Sequence, residues 1–141
     1  MATRKAHARW EGSIKDGKGQ DFGNGAFKSA YSFNSRFEDG KGTNPEELLG
    51  AAHASCLAMA MSLVLADAGF KPDYIDATAH VTILPQDGGF RITKSHLVCK
   101  AAVPGIDVAT FAKHAEAAKA GCPVSQALAG TTITLDAKLA R

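Results

Sequence analysis

From Leu48 to Ala66 the chain runs about 19 residues without an Asp, Glu, Lys or Arg. A segment this apolar and this rich in Ala, Leu and Met is a helix. Such a helix either crosses a membrane or is covered by protein on nearly every side. Its own composition favours protein. Ala, Gly and Ser contribute as much as Leu, His53 sits near the middle, and no basic cluster marks either end. The expectation is a buried central helix with no membrane. A small domain with a few strands is short of cover for it, so a partner subunit is expected. Leu57, Met59, Met61, Leu63 and Leu65 read as core.

The ends of this helix are marked. Asn44 is suited to the N-cap and Pro45 to the first helical position. Glu47, three after Asn44, can reach back in a capping box. Glu46 is left without a structural task. Gly69 is a natural stop.

Around the helix the pattern changes. "ARWEGSI" (8–14) alternates loosely as a strand, and "KDGKGQDFGNGAFKSAYSF" (15–33) reads as glycine-rich turns joining short strands. These glycines lack a phosphate-loop spacing and no helix follows them. "RFEDGKGTNP" (36–45) reads as a loop. "YIDATAHVTILPQ" (74–86) and "GGFRITKSHLVCKAAV" (88–103) alternate as two strands turning at "PQDGG". "GIDVATFAKHAEAAKAG" (105–121) is a helix starting near Asp107, with Val108, Phe111, Ala112 and Ala115 as its apolar stripe. "CPVSQALA" (122–129) is a short helix begun by Pro123, and "TTITLDAKLA" (131–140) a last strand. This order predicts one α+β domain over residues 1–141, with mostly antiparallel pairing.

Net charge is +2 with the basic residues scattered, which does not favour nucleic acid or an anionic membrane surface. No apolar run follows Met1, and three cysteines without a secretory signal point to a reducing cytoplasm. There a cysteine is a buried apolar residue or a reactive one. Cys99 falls on the strand side of Leu97 and Ala101 and reads as core. Cys122 precedes Pro123 at a helix start, where unpaired N–H groups lower a thiol's pKa. Cys56 lies about three turns into its helix, beyond the reach of the helix dipole. As a nucleophile it would need a cation from elsewhere. Arg36 is a candidate, with Glu46 able to hold the guanidinium by a bidentate pair. Local physics alone therefore prefers Cys122. His53 and Cys56 stand at i and i+3 and can share a face. With no CxxC or HxxxH in the chain, a metal site is not favoured and His53 reads as a satisfied, partly buried histidine.

"FNSRFEDGKGTNPEELLGAAHASC", "VPGID" and "AGCPVSQAL" resemble the OsmC branch of the OsmC/Ohr proteins, the osmotically inducible protein C-like peroxide reductases. The likeness runs from "ARWEG" at Ala8 to "ITLDAKL" near the end. It implies a thiol peroxidase preferring organic hydroperoxides to hydrogen peroxide. It makes Cys56 the peroxidatic and Cys122 the resolving cysteine, with Arg36 steadying the thiolate and Glu46 orienting Arg36. It implies an intertwined homodimer around two long central helices, reduction by an external dithiol of lipoyl type, and no cofactor or metal. Three alternatives stand beside it: another thiol–disulfide exchange protein, a metal-binding module using Cys56, His53 and Cys122, and a non-enzymatic structural dimer.

Glu46 and Cys56 are ten positions apart. On a straight helix that is roughly 15 Å along the axis and about 80° around it. The expectation is that the Arg36–Glu46 pair serving one cysteine comes at least partly from a partner chain.

Overall fold

The computed structural model describes residues 1–23 and 25–140. Asn24, in the glycine-rich stretch, lies outside the described residues. The chain forms two compact units, Met1–Leu48 and Leu49–Arg141.

In the first unit, β1 (His7–Glu11), β2 (Lys18–Phe22) and β3 (Lys28–Tyr31) pair antiparallel in that order. The first strand stops at Glu11, short of the expected Ile14, because Gly12 turns the backbone to φ +92°. Trp10 pairs across β2 Gly19, and its ring lies 5.4 Å from that of Tyr31. A short helix, α1 (Phe33–Phe37), follows where a loop is expected from Arg36 onward. Ser32 and Ser35 cap it reciprocally, each side chain bonded to the other's backbone N–H. Ser35 also donates to the Thr43 carbonyl at 2.8 Å, and Asn44 donates to the Ser35 carbonyl at 3.0 Å. Thr43 in turn bridges to Tyr31 and takes the Ala30 carbonyl at 2.9 Å. These bonds tie the segment after α1 back onto the sheet edge and deliver the start of α2 (Pro45–Asp67) to α1.

The body of α2 belongs to the second unit. Asn44 caps it as expected, accepting from the Glu47 N–H at 2.8 Å. Its end is a Schellman motif: Phe70 N–H reaches the Leu65 carbonyl, Gly69 N–H reaches that of Ala66, and Gly69 takes φ +86°. β4 (Tyr74–Gln86) and β5 (Gly89–Ala102) form a long antiparallel hairpin over the turn Asp87–Gly88, both with positive φ. From β5 the chain crosses through α3 (Val108–Gly121) and α4 (Pro123–Ala127) to β6 (Thr132–Leu139), which pairs parallel to β5. Asp107 caps α3 through the Thr110 N–H.

One core holds this unit together. Leu57, Met61 and Leu65 of α2 meet Leu97, Cys99 and Ala101 of β5 and Phe111, Ala115 and Ala118 of α3. Each large side chain so buried contributes about 1.5–3 kcal/mol. Gly50 lies where α2 approaches β4; a Cβ there would stand 3.3 Å from the Ala79 carbonyl.

Two expectations change. The stripe of α3 is Phe111, Ala115 and Ala118, at i, i+4 and i+7, while Val108 and Ala112 are exposed. On α2 only Leu57, Met61 and Leu65 of the expected five enter the core. Met59 is 77% and Leu63 62% exposed. By length and composition alone α2 could cross a membrane. Instead one face, Gly50–His53–Leu57–Met61–Leu65, is buried within this unit.

Candidate active site

The four residues singled out from the sequence fall into two pairs, one in each unit. In the first unit the Arg36 guanidinium grips Glu46 at two points, Nη2 to Oε1 at 2.7 Å and Nε to Oε2 at 3.1 Å. Arg36 sits in the last turn of α1, and its Cζ lies 5.2 Å from the Phe37 ring centroid. Glu46 is buried and Arg36 about one-third exposed. Glu46, which had no structural task in the sequence, is thus the anchor of an oriented cation. The fork fixes the plane of the guanidinium as well as its position.

In the second unit the Cys56 and Cys122 sulfurs stand 2.8 Å apart, and both thiols are free. Sixty-six residues separate them in the chain. Cys56 is half-buried on α2. Cys122 is wholly buried between α3 and α4, its N–H bonded to the Ala118 carbonyl and its carbonyl to the Gln126 N–H. It ends one helix and begins the next. Helix α3 on one side and Pro123 on the other therefore hold its backbone.

The two thiols are electrostatically unequal. Burial pushes Cys56 up, and its contact with Cys122 pushes it further. Burial also raises Cys122, but the bond from Cys56, the Ser125 amide and hydroxyl and the Val124 amide together bring it below its ordinary value. The thiol at the helix start is thus the more acidic of the two. Cys99 is buried and pushed up to about 11, by desolvation and then by Asp76; it is the inert core thiol expected.

His53 departs from its expected partial exposure: it is wholly buried. Its Nδ1 lies 2.7 Å from Ser95 Oγ on β5 and its Nε2 2.8 Å from Ser125 Oγ on α4. Burial lowers its pKa, so the ring is neutral. Sequence reading singled out neither serine. The signal was a polar ring in the middle of a charge-free helix, which demands buried partners. Among the described residues, no group of three or more His, Cys, Asp or Glu side chains could hold a metal ion.

Residues 38–137 match the sequence profile of the family described as OsmC-like protein. The chain belongs to the OsmC-like family. It is 54% identical over 138 residues to the protein named Peroxiredoxin OsmC from Escherichia coli (strain K12), 96% of each chain being covered. It is 37% identical over 100 residues, 68% of each chain, to the Organic hydroperoxide resistance protein of Xanthomonas axonopodis pv. citri. Among solved structures, the Organic Hydroperoxide Resistance Protein OhrB of Bacillus subtilis superposes with a TM-score of 0.75 at 25% identity, covering 95% of this chain and 98% of that one. This OsmC-like chain thus has the α+β fold of the OsmC/Ohr proteins.

Proposed function

We propose that the protein is a cysteine-based peroxidase that reduces organic hydroperoxides, and hydrogen peroxide less well. The observation that carries the reading is the 2.8 Å pairing of two free thiols in a chain so close to a peroxiredoxin. In this reading the Cys56 thiolate attacks the distal peroxide oxygen. The O–O bond breaks, an alcohol leaves, and the Cys56 sulfur is oxidised to a sulfenic acid. Cys122 then attacks that sulfur, hydroxide leaves as water, and a disulfide forms. An external dithiol, of lipoyl type by family resemblance, restores both thiols.

Access supports this division of roles. Cys56 is partly exposed and Cys122 is buried, so in this reading peroxide meets Cys56 first. Cys56 is the less acidic of the two thiols, so it needs a cation to attack as a thiolate. Arg36, oriented by Glu46, is given that role, as the resemblance implies. The electrostatics favour a second reading, with Cys122 as the nucleophile. Retained steady-state peroxide reduction in Cys56→Ser would establish that one.

The protein is read as a homodimer. Ala52, Ser55, Met59, Leu63 and Ala66 form an exposed stripe of α2 at helical spacing. A second copy is the occupant the family likeness gives it.

The test is anaerobic thiol titration under denaturing conditions, before and after one equivalent of cumene hydroperoxide. Three thiols should fall to one, Cys99, with a mass loss of two hydrogens. Three thiols after peroxide overturn the reading.

A further inference from the structure

The buried histidine network joins the thiol pair at one point. Ser125 is three residues after Cys122, the N-cap of α4. In a capping box, the side chain at this N3 position reaches back to the N-cap. From this position Ser125 is among the groups that hold the Cys122 pKa down. The same oxygen lies 2.8 Å from His53 Nε2, whose Nδ1 lies 2.7 Å from Ser95 Oγ. Ser95, His53 and Ser125 thus form one hydrogen-bonded chain through β5, α2 and α4 that ends one helical turn from Cys122.

We propose that His53 is a positioning residue for Cys122: through the Ser125 hydroxyl it holds a hydrogen-bond donor on the sulfur, so that Cys122 attacks the oxidised Cys56 as a thiolate. The proposal deepens the peroxidase reading and rests on it for the identity of the step. A neutral imidazole carries one N–H. With the proton on Nε2, His53 donates to Ser125 Oγ, and the Ser125 hydrogen is free to point at sulfur. Ser95 then donates to Nδ1. With the proton on Nδ1, Ser125 must donate to Nε2, and its lone pairs face a developing anion. A thiolate at Cys122 therefore selects the first arrangement, in which every donor of the chain points towards the sulfur. Burial of His53 keeps the ring neutral and the arrangement intact.

In the step itself, the sulfur–sulfur bond forms and the Cys56 S–O bond breaks. The Cys122 sulfur is oxidised, the Cys56 sulfur is reduced, and the departing hydroxide takes a proton to become water. Attack requires the thiolate, so the rate follows the ionisation of Cys122. Other groups meet this sulfur as well. Cys56 faces it from α2, the Val124 and Ser125 amides act on it from α4, and on α3 Lys119 is paired with Glu116 at 2.7 Å. None of these is altered by removing the Ser125 hydroxyl.

The experiment uses the reduced full-length protein with 13Cβ-labelled cysteine, titrated by NMR, together with single-turnover disulfide formation across pH. In Ser125→Ala the Cys122 pKa should rise by about one unit or more, the loss expected for a hydrogen bond to a charged group. The pH profile of disulfide formation should move up with it, slowing the step roughly tenfold at neutral pH. Ser125→Thr should restore both. His53→Gln, which keeps a donor near Nε2, should fall between. An unshifted Cys122 titration in Ser125→Ala overturns the proposal, as does a variant that loses thermal stability alone. The titration needs no peroxide. A protein whose Cys122 shifts as described but never forms the disulfide supports the network and overturns the peroxidase reading.

Discussion

At the scale of single residues, the two cysteines differ in access and in acidity, and substitution separates the roles. Cys122→Ser should complete one turnover and stop. Its Cys56 sulfenic acid then persists and takes up further oxygen. Intact mass after excess peroxide should show added oxygen atoms in place of the loss of two hydrogens; sustained turnover with a dithiol would make Cys122 dispensable. Arg36→Lys keeps the charge but loses the fork that meets both Glu46 oxygens. Cys56 should ionise at higher pH in this variant, and its iodoacetamide alkylation curve should shift accordingly. An unmoved curve removes Arg36 from the chemistry. The Arg36–Glu46 pair was nameable from the residues, because Glu46 had no structural task at its helix start, whereas the pairing of Cys56 with Cys122 came from the family resemblance. The sequence could not reveal Ser95 and Ser125 as partners of His53. They lie 42 and 72 residues from it, and only the packing of α2 against β5 and α4 brings them in.

At the scale of elements, the strongly patterned segments were legible and the ambiguous ones were not. The β4–β5 hairpin alternates for its full length and turns at Asp87–Gly88, so period and turn agree. Helix α1 escaped notice because its five residues carry no period, and its signal is a serine pair at i and i+3. Helix α2 was read as apolar on all sides, and composition cannot tell which side meets its own chain. His53 gives this helix a pH dependence whose sign is fixed. Its folded pKa lies below the ordinary 6.5, so the unfolded chain binds the proton more readily. The contribution is complete above that value and is lost as pH falls through it towards the folded pKa. Urea unfolding across this window should show stability declining with acid, and His53→Gln should flatten that part of the slope. An identical slope in the variant assigns the acid sensitivity to other groups.

At the scale of the whole molecule, the exposed stripe of α2 sets what one chain cannot do alone. Met59 and Leu63 lie on the opposite side of the helix from Leu57, Met61 and Leu65, so a second chain covering them buries the remaining apolar face. The Arg36–Glu46 pair is closed within one chain. The question is whose Cys56 it serves. Ten residues of helix separate Glu46 from the Cys56 of its own chain, roughly 15 Å along an ideal axis. Service to the partner's thiol is therefore the expectation, and it makes the dimer obligatory for activity. Subunit mixing decides it. Glu46→Ala and Cys56→Ser homodimers should each be inactive. Unfolded together and refolded, they form heterodimers in which the Cys56→Ser chain supplies an intact Arg36–Glu46 pair to the other chain's cysteine. Shared sites return part of the peroxidase activity, because each heterodimer then holds one complete site. Sites built within one chain leave the mixture as inactive as its parents, since every protomer lacks either its glutamate or its thiol.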